Sequence, residues 1–310
     1  MSNEPKSVAE AAALLRAGKL CAFPTETVYG LGADATNVDA VLSIYETKGR
    51  PRFNPLIIHC ADLAMAETLV EFSPLARRVA ALWPGSLSLV LPANAGNGLA
   101  DVATAGLDTV AIRIPDHSMA LELIAAVGRP LAAPSANPSG KLSPTTAEQV
   151  RRGFGGAVPV LDGGPCHAGV ESTIVRVDGD RLVQLRAGAV AREEIERAIG
   201  VTVESVEEGA AISAPGMLLS HYAPNASMRL NAEPRDGEAY LGFGAGPEFT
   251  GPLRNLSATG DLREAARNLF SMLHELDGLG VGAIAVAPIP ETGLGEAIND
   301  RLQRAAAPRG

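Results

Sequence analysis

Two short stretches of this chain concentrate residue types that handle small anions. Phe23-Pro24-Thr25-Glu26-Thr27-Val28-Tyr29-Gly30-Leu31-Gly32 is a hydroxyl-rich run ending in glycines, suited to lining a pocket for a small polar molecule. Lys48-Gly49-Arg50-Pro51-Arg52-Phe53-Asn54-Pro55-Leu56 sets three cations among prolines. Arginine offers a planar fork to phosphate oxygens and lysine a compact charge. The prolines stiffen the loop and lower the entropy lost when a polyphosphate is gripped. Three solvated charges closing a helix is the plainer account of the same residues; the prolines tip the balance toward phosphate.

Further candidates are spread along the chain. Pro134-Ser135-Ala136-Asn137-Pro138-Ser139-Gly140-Lys141-Leu142-Ser143-Pro144-Thr145 reads equally as an anion cradle before a helix and as ordinary turn chemistry. Arg113 interrupts the apolar run Val110–Ile114; it is either an exposed-face residue or a buried cation that needs an anion. His59 ends another apolar run, and Glu171-Ser172-Thr173 and Arg186 look ordinary singly. Gly30-Leu31-Gly32-Ala33-Asp34-Ala35 formally fits a dinucleotide-binding glycine loop. Pro24 and Asp34 argue against that reading. Metal-ligand spacing of Cys and His, a Walker sequence and a G-x-S-x-G elbow are all missing. The residues point to binding and charge stabilisation, as in phosphoryl or nucleotidyl transfer.

The elements that must position these residues follow from pattern. Ser7 opens a helix stopped by Gly18; Asn37 caps a second that ends at Gly49, placing Lys48 at its close. Further helices are expected from Pro74, after Asp116 and from Thr145. Strands are expected at 20–23, 56–59, 88–91, 110–114, 158–161 and 172–177, an irregular mixture that implies an α/β fold with a twisted mixed sheet. Residues 1–192 form the expected first domain and 193–228 a linker. Residues 229–310 form a small parallel α/β, Rossmann-like unit, with Asp261 capping a helix and Leu294, Ala297, Ile298 and Leu302 facing its core from a last helix.

Composition narrows the classes. A chain of 310 residues with 46% hydrophobic and 20% charged residues is ordinary and globular. A net charge of −9 and 4% aromatic residues disfavour an RNA-binding module, which needs a basic face and stacking platforms. Cys21, Cys60 and Cys166 are too far apart for a disulfide framework or zinc knuckle and suit a reducing cytoplasm. A signal peptide and an apolar membrane span are not expected.

With these motifs in hand, the chain resembles the long, two-domain threonylcarbamoyl-AMP synthases of the YrdC-like family. The matching pieces are Pro24–Gly32, Lys48–Leu56, Trp83-Pro84-Gly85, Val110–Pro115, Pro134–Thr145, Glu171–Ile174 and Leu185–Gly188. Ala214-Pro215-Gly216-Met217 and His221-Tyr222-Ala223-Pro224 match the linker, although Leu218, Leu219 and Ser220 stand where many members are basic. The resemblance implies a reaction: L-threonine, bicarbonate or CO2, and ATP give threonylcarbamoyl-AMP and pyrophosphate. The product supplies N6-threonylcarbamoyladenosine in tRNA, so tRNA is a partner only indirectly, through the downstream transfer machinery. Threonine contacts would fall on Thr27, His59, Arg113, Ala133 and Ser172. ATP contacts would fall on Lys48, Arg50, Asn54, Thr109, Ser135, Ser143, Arg186 and Tyr222, with Lys48 and Arg50 catalytic. Magnesium would come with ATP and take no protein side chain. The second domain resembles an accessory domain, expected to set the linker as a lid over the catalytic hollow.

Overall fold

The computed structural model of the protein describes residues 4–206 and 221–308. Ala214-Pro215-Gly216-Met217 and Leu218, Leu219 and Ser220 lie outside the described residues. Among the described residues, thirteen strands run in the order β1 Cys21–Phe23, β2 Gly30–Asp34, β3 Ile57–His59, β4 Leu87–Pro92, β5 Thr109–Arg113, β6 Leu131–Ala132, β7 Thr173–Asp178, β8 Arg181–Arg186, β9 Val203–Ser205, β10 Ser227–Arg229, β11 Ala239–Gly242, β12 Leu253–Asn255 and β13 Ala283–Val286. The helices are α1 Val8–Arg16, α2 Val38–Lys48, α3 Leu63–Leu69, α4 Pro74–Ala80, α5 Asp101–Thr104, α6 Ser118–Val127, α7 Ala147–Gly153, α8 Arg192–Ile199, α9 Leu262–Asp277 and α10 Leu294–Ala306.

The first nine strands form one mixed sheet in the order β1-β2-β6-β3-β5-β4-β7-β8-β9. The stretch assigned to the start of the linker is α8 and β9, and β9 extends this sheet by pairing parallel to β8. The last four strands make a separate parallel sheet, β10-β13-β11-β12. The expected strand at 158–161 is a single bridge from Val160 to Ala22.

The glycine run 30–34 is a strand rather than a phosphate loop, which removes the dinucleotide reading. It pairs antiparallel with β1, and a Cβ on Gly32 would lie 2.8 Å from the Phe23 ring. At Gly32 the missing side chain allows close packing of the two strands.

Local signals place the site. Asn37 caps α2 by accepting from the Ala40 amide, and Gly49, at φ 61° in the left-handed region, ends it one residue after Lys48. Central β3 and β5 are parallel, with His59 directly beside Arg113 at their carboxyl ends. Thr146 forms a capping box with Gln149 at α7, which fixes the polar loop before it. In the second half, Asp261 caps α9, whose buried face is Ala265, Ala266, Leu269, Phe270, Leu273 and Leu276. Tyr222 joins that apolar cluster together with Val28, Leu142 and Val170 of the first half, so the two halves share one continuous core beside the hollow.

Candidate active site

A hollow opens over the carboxyl ends of β3 and β5, where open α/β sheets gather their ligands. Thr25, Thr27, Arg50, His59, Arg113, Ala133, Ser135, Glu171, Ser172, Arg186, His221 and Tyr222 all line it. The free space among them is about 50 Å³, room for a few waters. Tyr222, which lines it, is 2% exposed.

One wall is built around Arg113. Its Nη1 donates to Thr27 Oγ1 at 3.0 Å, and Nη2 pairs with Glu26 Oε1, which also accepts from Ser86 Oγ at 3.0 Å. Arg113 is 3% exposed, and its Nε has no hydrogen-bond partner among the described residues. The second of the two readings of Arg113 therefore holds: it is a buried cation with an anion, Glu26. His59 Nδ1 lies 3.2 Å from the Ile57 carbonyl. A carbonyl only accepts, so Nδ1 carries the proton and Nε2 is left as an acceptor. Burial, and then the Arg113 charge, push the His59 pKa down to about 3, so the ring is neutral.

The other wall holds the remaining cations. Lys48 Nζ donates to the Ser135 carbonyl at 2.6 Å and to the Asn137 carbonyl. Arg50 donates to the carbonyls of Asn54 at 3.3 Å and Pro55 at 3.0 Å. Arg186 reaches the Ser172 carbonyl at 2.8 Å and its hydroxyl at 3.1 Å. Glu171 Oε1 accepts from Ser143 Oγ at 2.5 Å, and Oε2 pairs with Arg301 Nε at 2.8 Å. Burial foremost, then the Arg50 charge, hold Lys48 well below the ordinary lysine range. Burial likewise takes Arg50 down to about 10. Burial works to raise Glu171, yet the Arg301 and Arg186 charges outweigh it and leave its carboxyl below the ordinary range. Around the hollow the buried cations Lys48, Arg50, Arg113 and Arg186 face the buried anions Glu26 and Glu171.

The structure brings most of the expected residues together. Thr27, Arg50, His59, Arg113, Ala133, Ser135, Ser172, Arg186 and Tyr222 line the hollow itself. Lys48, Asn54 and Ser143 sit one contact behind, through Ser135, Arg50 and Glu171. Thr109 is the exception: it begins β5 opposite Pro92, four residues or roughly 13 Å along the strand from Arg113. The cationic loop also differs from the expected exposed patch. Lys48 and Arg50 are buried at 4% and 8% exposure, whereas the Arg52 side chain is 65% exposed. Because the cations of the hollow are buried, they offer no basic face to a nucleic-acid backbone.

Two site residues escaped sequence reasoning. Glu26 lies inside the hydroxyl-rich run and nothing in its spacing marks it. Arg301 carried a signal: with Leu294, Ala297, Ile298, Leu302 and Ala305 it falls on the buried face of α10. A cation on an apolar helical face demands an anionic partner.

Comparison with known proteins now adds a lineage. Residues 13–188 match the Sua5/YciO/YrdC family model, described as "Telomere recombination". The chain belongs to this family. Residues 190–307 match the model described as "Threonylcarbamoyl-AMP synthase, C-terminal domain". The threonylcarbamoyl-AMP synthase of Bacillus subtilis is 42% identical, over 99% of this chain and 95% of its own length. That of Pyrococcus abyssi is also 42% identical, over 96% of this chain and 94% of its own. The crystal structure of P. abyssi Sua5 complexed with L-threonine superposes with a TM-score of 0.87 at 41% identity, covering 96% of this chain and 94% of that one. Both halves of the family's two-domain architecture are therefore present in this chain. Among the described residues, no helix is long and apolar enough to cross a membrane.

Proposed function

We propose that this protein is a threonylcarbamoyl-AMP synthase, joining L-threonine, bicarbonate or CO2, and ATP into threonylcarbamoyl-AMP with release of pyrophosphate. The observation that carries this reading is that the buried Lys48 and Arg50 donate to carbonyl oxygens beside a hollow whose other wall is lined by hydroxyls. Buried charge without a partner is costly, and a triphosphate beside an amino-acid carboxylate would supply the missing negative charge. The near-identical fold of a relative solved with L-threonine, and the names of full-length relatives, support the same assignment.

In this reading Arg113 receives the threonine carboxylate through its unpartnered Nε side while Glu26 and Thr27 hold the guanidinium in place. Neutral His59 accepts from the threonine hydroxyl or amine at Nε2, and Ser172 and the Ala133 backbone complete that wall. The threonine amine attacks the carbon of CO2, or of bicarbonate with loss of water, forming a C–N bond and giving up a proton. A carbamate oxygen then attacks the α-phosphorus of ATP, and the bond to the β-phosphate oxygen breaks. Lys48 and Arg50 are the catalytic cations, and with Arg186 they offset charge on the leaving pyrophosphate. Asn54, Ser135, Ser143 and Tyr222 complete the nucleotide pocket.

No group of three or more His, Cys, Asp or Glu side chains among the described residues is placed to hold a metal. The carboxylates nearest the hollow, Glu26 and Glu171, are engaged by arginines. Magnesium is expected with the nucleotide, held by phosphate oxygens and water. The three cysteines are free and buried, which suits a cytoplasmic enzyme, and the product would pass to the machinery that modifies tRNA. The decisive experiment measures pyrophosphate release from ATP with and without threonine and bicarbonate. Release requiring both is expected; release indifferent to threonine would overturn the reading.

A further inference from the structure

The last helix sends one side chain out of its own domain to two residues that line the hollow. Arg301 is 1% exposed and heads the largest fully buried side chains of the protein. Its Nε pairs with Glu171 Oε2 at 2.8 Å, Nη2 donates to the Ala187 carbonyl at 3.0 Å, and Nη1 pairs with Asp300 at 2.5 Å. Its guanidinium carbon stands 5.2 Å from the centre of the Tyr222 ring, within cation–π range. One arginine thus touches the floor of the hollow, at Glu171, and its cover, at Tyr222.

That cover is held by contacts rather than by its own backbone preference. Tyr222 has φ 61°, a left-handed conformation that a non-glycine residue adopts only under outside constraint. The constraint comes mostly from the C-terminal half. The Tyr222 ring lies 5.5 Å from that of Phe270 in α9, and the His221 amide donates to the Arg304 carbonyl of α10 at 3.2 Å. Ala223 is fastened on the other side, its amide donating to Gly140 at 2.8 Å.

We propose that Arg301 is a positioning residue of the nucleotide site, through which the C-terminal domain sets the Tyr222 lid and neutralises Glu171. This rests on the synthase reading above. The logic is electrostatic. Glu171 reaches Ser143 in the nucleotide wall, where a bare carboxylate would repel an incoming triphosphate. Arg301 cancels that charge and the same group seats the tyrosine ring that closes over the base or sugar. Threonine binds across the hollow at Arg113 and stays outside this network. The residue therefore governs ATP rather than threonine.

The test uses the full chain and varies each substrate separately. Arg301→Met keeps the apolar stem, and it should raise the KM for ATP by about tenfold or more while moving the KM for threonine by no more than about twofold. Arg301→Lys retains a charge for Glu171 without the planar stack and should fall between. Glu296→Ala is the control. Glu296 joins α10 to Gln184 and Arg192 at 2.7 and 2.9 Å, away from the hollow, so its loss should leave the ATP KM unchanged. Equal rises in both KM values for Arg301→Met, or the same ATP effect from Glu296→Ala, would reduce Arg301 to domain glue and overturn the proposal. Should Arg301→Met not fold, Tyr222→Leu must give the ATP-selective loss, and an unchanged ATP KM there sinks the idea. If the wild-type chain makes no pyrophosphate, the synthase reading fails by itself. Calorimetric ATP binding then decides: weakened binding for Arg301→Met with unaltered Glu296→Ala supports the positioning role, and equal binding overturns it.

Discussion

The hollow of the first sheet and the C-terminal unit bury side chains by opposite rules. In α9 every buried residue is alanine, leucine or phenylalanine, and period and burial coincide as expected for a helix stabilised by apolar area. Around the hollow, Lys48, Arg50, Arg113, Arg186, Glu26 and Glu171 are all buried within one small space. Lys48 and Arg50 donate to carbonyl oxygens, which satisfy hydrogen bonds without neutralising charge. A region that spends stability on unneutralised cations is a region kept for a ligand. Arg301 is where the two rules meet, an ion on the apolar face of the unit's last helix, reaching the region that has need of it.

The sharpest break in this contrast would come from removing the two catalytic cations together. Lys48→Ala with Arg50→Ala should lower threonine-dependent pyrophosphate release by about a thousandfold or more. The fold should also lose stability, because the carbonyls of Ser135, Asn137, Asn54 and Pro55 lose their buried donors. A thermal melt alongside the assay checks both. Activity near that of the wild type would mean that the buried cations are structural and the hollow is not the nucleotide site.

Arg113→Ala comes next. Removing a buried group that meets a carboxylate should cost about a hundredfold in kcat/KM for threonine, with a clearly smaller change for ATP. Equal losses for the two substrates would contradict the division of the hollow into an amino-acid wall and a nucleotide wall.

The contrast also has a pH signature. Burial above all holds His59 and His221 down to about 3, so both are neutral in the folded protein and protonate more readily when unfolded. The unfolded chain then binds more protons between about 3 and 6.5, and stability falls as pH drops through that window. Each histidine contributes a slope of up to about 1.4 kcal/mol per pH unit. Urea unfolding at pH 7, 6 and 5 should show the decline, and His59→Asn should flatten it by one histidine's share. A slope unaltered in His59→Asn would mean that this ring is not buried neutral.

How much was legible beforehand divides along the same line. Helices α2 and α9 were readable with their caps at Asn37 and Asp261, and α7 from Thr145, one residue before its cap Thr146, because capping and period are local. The strand β2 was not, since Gly30 and Gly32 are there for contact with Ala133 and Phe23, partners that only the fold supplies. β6 is two residues long and carries no pattern at all. Within the hollow, charge and hydroxyl content marked Lys48, Arg50 and Thr27, whereas Glu26 and the burial of the cations depend on which strands lie side by side. Thr109 was assigned by resemblance alone, and it begins β5 four residues before Arg113, outside the lining of the hollow. Arg301 was visible as an anomaly of period, and its partner lies 130 residues away in sequence, out of reach of any local rule.

The smallest predicted effect separates burial from mere charge. Arg52 belongs to the same Lys-Gly-Arg-Pro-Arg run as the two catalytic cations, and a loop acting as a diffuse positive patch would need all three. In the structure its side chain is 65% exposed and lies 3.9 Å from Glu46, itself 69% exposed. Exposed pairs of this kind contribute about 0–1 kcal/mol and are screened by salt. Arg52→Ala should therefore change the ATP KM by no more than about threefold and leave thermal stability nearly unaltered. Raising the ionic strength should erase what difference remains, because a residual effect could only be long-range steering of the nucleotide. A loss as large as that of Arg50→Ala would show instead that the loop turns inward when nucleotide binds. The positive surface would then belong to a moving segment, and the preformed buried hollow would no longer account for phosphate binding.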